Sequence, residues 1–244
     1  MRLTSMKLAI LSDIHGNWEA FSAVLGFLDK EKVDKIIILG DIVGYGADPN
    51  LCVKKAKEVA EVNLIGNHDA AVVGLTSLEE FNPFAKEACI WTSKVLDSES
   101  LDFLRKLPYT YREGNILYVH SAPSDPTRWK YILDVWDADW EFRTFSEQIC
   151  FFGHTHQAIA YRESDNRVGV IESYTFEIVP GARYMINPGS VGQPRDYDPR
   201  AAFVLMEDGM VRILRVMYDV KKAAAKILEA GLPPILAERL YQGL

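Results

Sequence analysis

The chain has 244 residues, of which 48% are hydrophobic and 25% charged, and its formal net charge at pH 7 is −7. This balance is typical of a globular protein with a substantial core, so we expect a single domain over residues 1–244. The acidic surplus argues against nucleic acid or an anionic membrane as a stable partner, because phosphate groups attract surplus Lys and Arg. A small phosphorylated substrate is not excluded, because a bound metal ion can dominate the local field.

Two further features concern the compartment. The apolar stretch near the N-terminus spans only residues 8–11, which is too short for a signal peptide, and no run approaches the length of a transmembrane helix. Cys52, Cys89 and Cys150 are odd in number and show no CxxC spacing, which favours free, buried thiols over a zinc or disulfide site. We therefore expect a cytoplasmic protein.

The first third of the chain alternates buried strands with amphipathic helices. Strands are predicted at 7–12, 33–39 and 62–65, and helices at 18–28 and 49–60. This alternation predicts parallel βαβ units, which bring the residues that follow each strand to one edge of a sheet.

The middle of the chain is predicted to be mainly helical and then to form a hairpin. The predicted elements are a helical region over 70–107 with helices at 84–96 and 101–107, hairpin arms at 109–111 and 116–119, and a strand at 149–152. Residues 121–147 are rich in Trp, Asp and Pro, and we interpret them as a loop and helix that cover a site.

The last third changes to short strands separated by turns. They are predicted at 158–162, 168–172, 175–179, 201–206 and 211–216, which suggests a second, largely antiparallel sheet. Residues 220–244 are predicted to form two helices broken at 231–234. We expect their apolar residues to pack on the body of the protein; a contact between two copies, giving a homodimer, is the alternative.

All five histidines of the chain lie in short motifs that follow apolar runs. The motifs are Asp13-Ile14-His15, Gly40-Asp41, Gly66-Asn67-His68-Asp69, His120 and Gly153-His154-Thr155-His156. Each motif alone has an ordinary interpretation as a turn, a helix cap or a structural histidine. Taken together and in order, they offer imidazole, carboxylate and amide ligands suited to two metal ions that share a bridging carboxylate.

In this order the motifs resemble those of the calcineurin-like metallophosphoesterase superfamily, and the resemblance covers residues 13–156. It implies a four-layer αββα sandwich of two mixed β-sheets flanked by helices, with a dinuclear metal site at the strand carboxyl ends. The ligands that it implies are Asp13, His15 and His156 for the first ion, Asn67, His120 and His154 for the second, and Asp41 as the bridge. This ligand set suits Mn²⁺, Fe or Zn²⁺.

The remaining motif histidine is interpreted differently. His68 is adjacent to a ligand but free to protonate a leaving group, and the resemblance implies that it stabilises the transition state or donates a proton. Asp69 is the candidate to hold its imidazole in place. We therefore predict that His68 and Asp69 take part in the chemistry.

One departure from the resembled family concerns the substrate. Its serine/threonine phosphatases and diadenosine tetraphosphatases carry GDxxDRG, whereas residues 40–46 read GDIVGYG and lack that Asp and that Arg. The chain is closer to the small bacterial and archaeal phosphodiesterase-like group, whose NPGS segment residues 187–195 resemble. Arg195 is therefore the hypothetical phosphate contact, and Asn67 and Tyr45 are further candidates to contact substrate. Trp129 and Tyr131 could join Tyr45 in a pocket for a base, although aromatic residues more often simply pack.

These observations favour a metal-dependent enzyme that hydrolyses a phosphodiester or phosphomonoester, through in-line attack by a hydroxide that bridges the two ions. The alternatives are a dinucleotide polyphosphate hydrolase and a non-catalytic scaffold on the same fold. A repair nuclease of the same superfamily is disfavoured because the chain is acidic and short. The scaffold is disfavoured because every ligand type is retained.

Overall fold

The computed structural model describes residues 6–244. The strands are β1 (Leu8–Leu11), β2 (Lys35–Ile38), β3 (Val62–Asn63), β4 (Thr110–Glu113), β5 (Ile116–Val119), β6 (Ile149–Phe151), β7 (Ala158–Ser164), β8 (Arg167–Ile171), β9 (Thr175–Glu177), β10 (Arg183–Pro188), β11 (Ala201–Glu207) and β12 (Met210–Val216). The α-helices are α1 (Trp18–Glu31), α2 (Pro49–Val59), α3 (Asn67–Val72), α4 (Pro83–Val95), α5 (Ser98–Leu104), α6 (Val135–Glu141), α7 (Val220–Glu229) and α8 (Pro234–Gln242).

Capping residues account for where the first helices begin. The Asn17 side chain accepts a hydrogen bond from the backbone N–H of Ala20 at 3.1 Å, which satisfies one of the free amides at the start of α1. Pro49 occupies the first turn of α2, where its missing N–H has no helical partner to lose. Both helices lie where the sequence predicts them.

The predicted helical region over 70–107 is divided into α3, α4 and α5. A break follows Val72, where Gly74 adopts a left-handed φ of 79°. The side chain of Asn82 then accepts a hydrogen bond from the backbone N–H of Ala85 at 3.0 Å and starts α4. The helices predicted at 84–96 and 101–107 correspond to α4 and α5.

The strands form two six-stranded sheets. Sheet 1 has the order β3-β2-β1-β11-β12-β9, and sheet 2 has the order β4-β5-β6-β10-β7-β8. In sheet 1, β1, β2 and β3 are parallel, while β11, β12 and β9 join antiparallel. In sheet 2, β5, β6 and β10 are parallel, and the outer strands are antiparallel. Both sheets are mixed and flanked by helices, which confirms the predicted fold class.

The expectation that the strands after His156 form a sheet of their own is wrong. β9, β11 and β12 extend sheet 1, and β7 and β8 extend sheet 2. The alternation of apolar residues identifies a strand but not its partner, and β11 pairs with β1 across most of the chain length. β10 is missing from the predicted elements, because its turn-like ending in Pro188 obscures a central strand.

Alternation within β1 shows how the layers form. Ala9 and Leu11 pack against α1 and α2, whereas Leu8 and Ile10 face the inner side of sheet 2. The outer side of sheet 2 is covered by α6, through Ala138 and neighbouring apolar residues. The order is therefore helices, sheet 1, sheet 2, helix.

Residues 121–147 and the C-terminal tail pack on different parts of the sandwich. Residues 121–147 divide into a 3-10 turn at Pro126–Arg128, whose continuation reaches the site described below, and α6, which packs under sheet 2. Helices α7 and α8 bury apolar residues such as Ile227 and Leu236 against α4 and Tyr45, as predicted for the tail. The three cysteines are free and buried. Within residues 6–244, no helix is both long and apolar enough to cross a membrane.

Candidate metal centre

The carboxyl ends of the parallel strands meet at one edge of the sandwich. In sheet 1, Asp13 follows β1, Asp41 follows β2 and Asn67 follows β3. In sheet 2, His120 follows β5 directly and His154 follows β6. The two sheets therefore bring residues that are far apart in the sequence to one buried place, and the βαβ pattern predicts this for Asp13, Asp41 and Asn67 of sheet 1.

The candidate ligands form two overlapping groups. Asp13, His15, Asp41 and His156 place one ligand atom each within 4.8 Å of one another, and Asp41, His120 and His154 do the same. All of these side chains are buried. Asn67 lies beside the second group, with its Oδ1 at 3.3 Å from Nε2 of His120. Asp41 belongs to both groups, which is the position that a bridging carboxylate requires.

The hydrogen bonds of His15 and His156 test whether this group fits a cation. Nδ1 of His15 lies 3.1 Å from the carbonyl oxygen of Val43, and Nδ1 of His156 lies 2.6 Å from that of Gln193. A carbonyl only accepts, so both Nδ1 atoms carry the proton. Both Nε2 atoms then carry a lone pair and no proton, yet they lie only 3.0 Å apart. Because two facing lone pairs repel each other, this arrangement is favourable only with a cation between or beside them.

The carboxylates of the site also indicate that it is built for a cation. Oδ1 of Asp13 and Oδ2 of Asp41 are buried and accept no hydrogen bond from any group in residues 6–244. Oδ1 of Asp13 lies 3.2 Å from Nε2 of His156, and Oδ2 of Asp41 lies 3.5 Å from Nε2 of both His15 and His120. Buried carboxylate oxygens without donors are costly unless a charge compensates them. The residues therefore fit divalent metal ions.

In the second group, the unprotonated ring nitrogen of His154 is Nδ1 rather than Nε2. Nε2 of His154 lies 2.8 Å from the carbonyl oxygen of Trp129, so that nitrogen carries the proton and Nδ1 keeps the lone pair. The carbonyl of Trp129 is directed there because this residue has a left-handed φ of 53° at the end of the 3-10 turn. The chain thus selects the nitrogen of each of these imidazoles by a backbone carbonyl.

Charge coupling perturbs the pKa values of the site. Burial disfavours the charged form of His120, but the Asp41 carboxylate outweighs it and raises the pKa of His120 to about 9. Burial, followed by the charge on His120, lowers the pKa of His154 to about 3.

The backbone of the site is strained where the ligands emerge. Asp13, His15, Asp41, His154 and His156 all have φ values between 50° and 69°. This left-handed region is rare for residues other than Gly, although Asp and His enter it more readily than most. Such conformations persist where the surrounding structure imposes them, and they cluster at functional sites.

Gly44 shows how tightly the histidines are enclosed. Its φ is 143°, and a Cβ built there would lie 2.5 Å from Nδ1 of His15 and 2.8 Å from Nδ1 of His68. A side chain at this position would displace both rings. Gly44 is also one of the positions where the chain departs from the GDxxDRG motif.

The predicted contact of Asp69 with the His68 imidazole does not occur among the described residues, so this expectation is corrected. The Asp69 carboxylate accepts hydrogen bonds from three backbone N–H groups, those of Ile42, Val43 and Gly66, at 3.1–3.2 Å. Burial and the nearby Asp41 raise the pKa of Asp69 to about 7, against the effect of these amides. Asp69 therefore ties the loop that carries Asp41 to the start of α3.

Arg195 and Tyr45 lie together beside the histidines. Nη2 of Arg195 donates to the Tyr45 hydroxyl at 3.1 Å and to Oε1 of Gln193 at 3.0 Å. The Tyr45 ring is buried, with its centroid 4.6 Å from that of His15 and 4.5 Å from that of His68. β10, parallel to β6, leads to this segment, which explains how the residues after Asn187 reach the site.

An open cavity of about 260 Å³ adjoins the second metal group. Its walls include Asn67, His68 and His154 from the site and Phe81, Trp129 and Tyr131 from the surrounding loops. The Tyr131 ring stacks on the His154 imidazole with centroids 4.1 Å apart and planes inclined by 9°. The first part of the 121–147 segment therefore borders the site, whereas its helix α6, which we expected to help cover the site, packs on sheet 2 instead.

Comparisons with known proteins agree with this architecture, which is that of a metallophosphoesterase domain. The model of the calcineurin-like phosphoesterase superfamily domain matches residues 6–209. The uncharacterized protein MJ0912 of Methanocaldococcus jannaschii is 38% identical over 248 residues, covering 99% of this chain and all of that protein. The chain therefore belongs to the calcineurin-like phosphoesterase superfamily, whose members use divalent metal ions.

Two solved structures are similar over nearly the whole chain. A metallophosphoesterase from Sphaerobacter thermophilus is 40% identical, with a TM-score of 0.88 and coverage of 99% of this chain and 100% of that one. The hypothetical protein PH1004 from Pyrococcus horikoshii OT3 is 20% identical, with a TM-score of 0.80 and coverage of 98% and 99%. The second likeness shows the fold alone.

Proposed function

We propose that this protein hydrolyses a phosphodiester with the help of two divalent metal ions. The observation that carries the proposal is the pair of unprotonated Nε2 atoms of His15 and His156, 3.0 Å apart, next to the buried, unpaired oxygens of Asp13 and Asp41. In a metal-free protein this arrangement is unfavourable, because it places like partial charges in contact.

The proposed ligands are those that the sequence indicates: Asp13, His15 and His156 for one ion, Asn67, His120 and His154 for the other, and Asp41 for both. When bound, two such ions make water nucleophilic at neutral pH and offset the charge that develops on the phosphoryl oxygens. Mixed imidazole, carboxylate and amide ligands suit Mn²⁺, Fe and Zn²⁺. The substrate is a small phosphorylated molecule that enters through the adjoining cavity.

His68 assists the departure of the leaving group as a neutral hydrogen-bond donor. Burial lowers the pKa of His68 to about 4, only partly offset by the carboxylate of Asp41. Bound cations would lower this pKa further, because they disfavour a second positive charge nearby. At neutral pH the imidazole is therefore uncharged, and its N–H group can donate to the oxygen that becomes negative.

The choice of a diester over a monoester follows from the charges beside the site. A phosphomonoester dianion calls for more cationic side chains than a diester monoanion. Arg195 is the cation in contact with the Tyr45 hydroxyl, and Tyr45 itself is neutral where GDxxDRG would supply an Arg. The open cavity beside His68 also leaves space for the second ester group.

A dinucleotide polyphosphate is the second candidate substrate. Phe81, Trp129 and Tyr131 border the cavity, and aromatic rings are suitable surfaces for a base. Against it, the Tyr131 and Phe81 rings already contact His154 and His68, with centroids 4.1 and 5.1 Å apart. The aromatic wall is thus partly used for packing.

The test is an assay of protein that holds two metal equivalents by elemental analysis. With Mn²⁺ we expect turnover of bis-p-nitrophenyl phosphate to exceed that of p-nitrophenyl phosphate. The Asp41→Asn variant should lose most of its metal and its activity, while Asp134→Ala, on the exposed cap of α6, should keep both. A diadenosine polyphosphate serves as the third substrate. No turnover of any phosphoester by the metal-loaded protein would refute the proposal and favour the scaffold.

A further inference from the structure

His68 has a partner that neither the motifs nor the proposed reaction assigns. Its Nδ1 lies 3.3 Å from Sγ of Cys89, which belongs to α4. Both side chains are buried, His68 with 4% and Cys89 with 1% of its surface exposed. The contact joins the start of α3 to the middle of α4, over 21 residues of sequence.

No carboxylate takes this place. In the part of the chain that the structure describes, the hydrogen bond from Cys89 is the one that Nδ1 of His68 makes. Asp69, the nearest acid in the sequence, is occupied by three backbone amides. Gly44, whose Cβ would approach Nδ1 at 2.8 Å, offers no side chain at all.

The chemistry of the two groups decides where the proton of the imidazole lies. Burial, and then the carboxylates of Asp41 and Asp69, raise the pKa of the Cys89 thiol far above its usual range, so the thiol keeps its hydrogen. An imidazole nitrogen with a lone pair is a good acceptor, whereas a thiol sulfur is a weak one. The contact is therefore best made with S–H donating to Nδ1, which leaves the imidazole proton on Nε2.

We propose that Cys89 is a positioning residue that holds His68 in the tautomer with the proton on Nε2, aimed at the leaving oxygen of the substrate. This inference rests on the proposed function, in which His68 donates a hydrogen bond. A carboxylate in the place of Cys89 would act in the opposite sense, because it accepts and so draws the proton to Nδ1.

The first test observes the tautomer without any reaction. Nitrogen chemical shifts of ¹⁵N-histidine-labelled protein, loaded with diamagnetic Zn²⁺, distinguish a protonated from an unprotonated ring nitrogen. We expect His68 to be protonated on Nε2 in the wild type and in Cys89→Ser, and to lose this preference in Cys89→Val. A proton on Nδ1 in the wild type would overturn the proposal, and this outcome is independent of any activity.

The second test uses leaving groups of different basicity. Diphenyl phosphate needs more help at its leaving oxygen than bis-p-nitrophenyl phosphate, because phenoxide is the stronger base. For Cys89→Val we expect kcat on diphenyl phosphate to fall about fivefold, the effect of one neutral hydrogen bond, with KM unchanged. The loss on bis-p-nitrophenyl phosphate should be smaller, and Cys89→Ser should restore the wild-type ratio.

Controls separate positioning from folding. Cys52→Val changes another buried cysteine, on α2 and outside the site, and should leave the ratio of the two rates unchanged. Thermal unfolding of each variant shows whether it is folded. Equal losses on both substrates in Cys89→Val, or a folded Cys89→Ser that fails to restore the ratio, would overturn the proposal. If no variant or wild type turns over either ester, the proposed function fails while the tautomer measurement still decides the role of Cys89.

Discussion

Asp69 allows a sharp test of what holds the metal loop in place. Its buried carboxylate accepts three backbone N–H groups, from Ile42 and Gly66 at Oδ2 and from Val43 at Oδ1. The sequence predicts a role in orienting His68, whereas the structure gives it a role in folding the loop that carries Asp41. Substitution of Asp69 should therefore act on stability and metal binding rather than on the chemical step.

The size of the effect follows from the three amides. Asp69→Ala leaves each of the three amides buried without an acceptor, which costs about 1–3 kcal/mol per amide. A water molecule in the vacated space restores part of this cost, so we expect the free energy of unfolding to fall by about 3–5 kcal/mol. For a chain of this length that lowers Tm by roughly 6–20 °C. Asp69→Asn keeps an oxygen acceptor for the two amides at Oδ2 but places an NH₂ group opposite the N–H of Val43. We expect the free energy of unfolding of this variant to fall by about 1–3 kcal/mol.

The assay combines thermal unfolding with metal titration and steady-state kinetics. We expect Asp69→Asn to bind Mn²⁺ more weakly, yet to show a near-normal kcat and a normal ratio of rates on diphenyl and bis-p-nitrophenyl phosphate once saturated. Asp134→Ala, which removes an exposed carboxylate that accepts two backbone N–H groups, is the matched control and should show only the small loss of one helix cap. An unchanged Tm, together with a larger loss of rate on diphenyl phosphate than on bis-p-nitrophenyl phosphate, would refute this reasoning, because that pattern is the one expected when the hydrogen bond from His68 is lost.

Three further predictions concern single features of the site. Gly44→Ala should abolish tight metal binding, measured by elemental analysis after gel filtration, because its Cβ would displace His15 and His68; two retained equivalents would contradict this. In the metal-free protein the pKa of His120 is raised to about 9, so the ring is protonated at neutral pH and must release about one proton when a metal binds. Calorimetric titration in buffers of different ionisation enthalpy measures that proton, and a slope of zero would count against it. Arg195→Ala should raise KM for the diester more than it lowers kcat, if the guanidinium binds ground state and transition state alike; unchanged kinetics would remove it from the site.

Much of the fold was predictable because local spacing reports local structure. The strands ending before Asp13 and Asp41 follow from apolar runs, and helix α1 follows from the helical spacing of its apolar residues. Strand partners were not predictable in this way. β11 lies between β1 and β12, and β10 lies between β6 and β7, because long-range burial decides pairing.

The sequence by itself determined the chemical types at the site and their order. Ligands placed directly after the parallel strands of one sheet must meet at its edge, so the approach of Asp13, Asp41 and Asn67 follows from the pattern. Only the tertiary structure decided how each side chain is used. The carbonyls of Val43 and Gln193 select the ligand nitrogens of His15 and His156, Asp69 turns to backbone amides, and a cysteine contacts His68. These contacts join groups that are tens of residues apart, many of them backbone atoms that every residue carries, and such atoms leave no signal in a sequence.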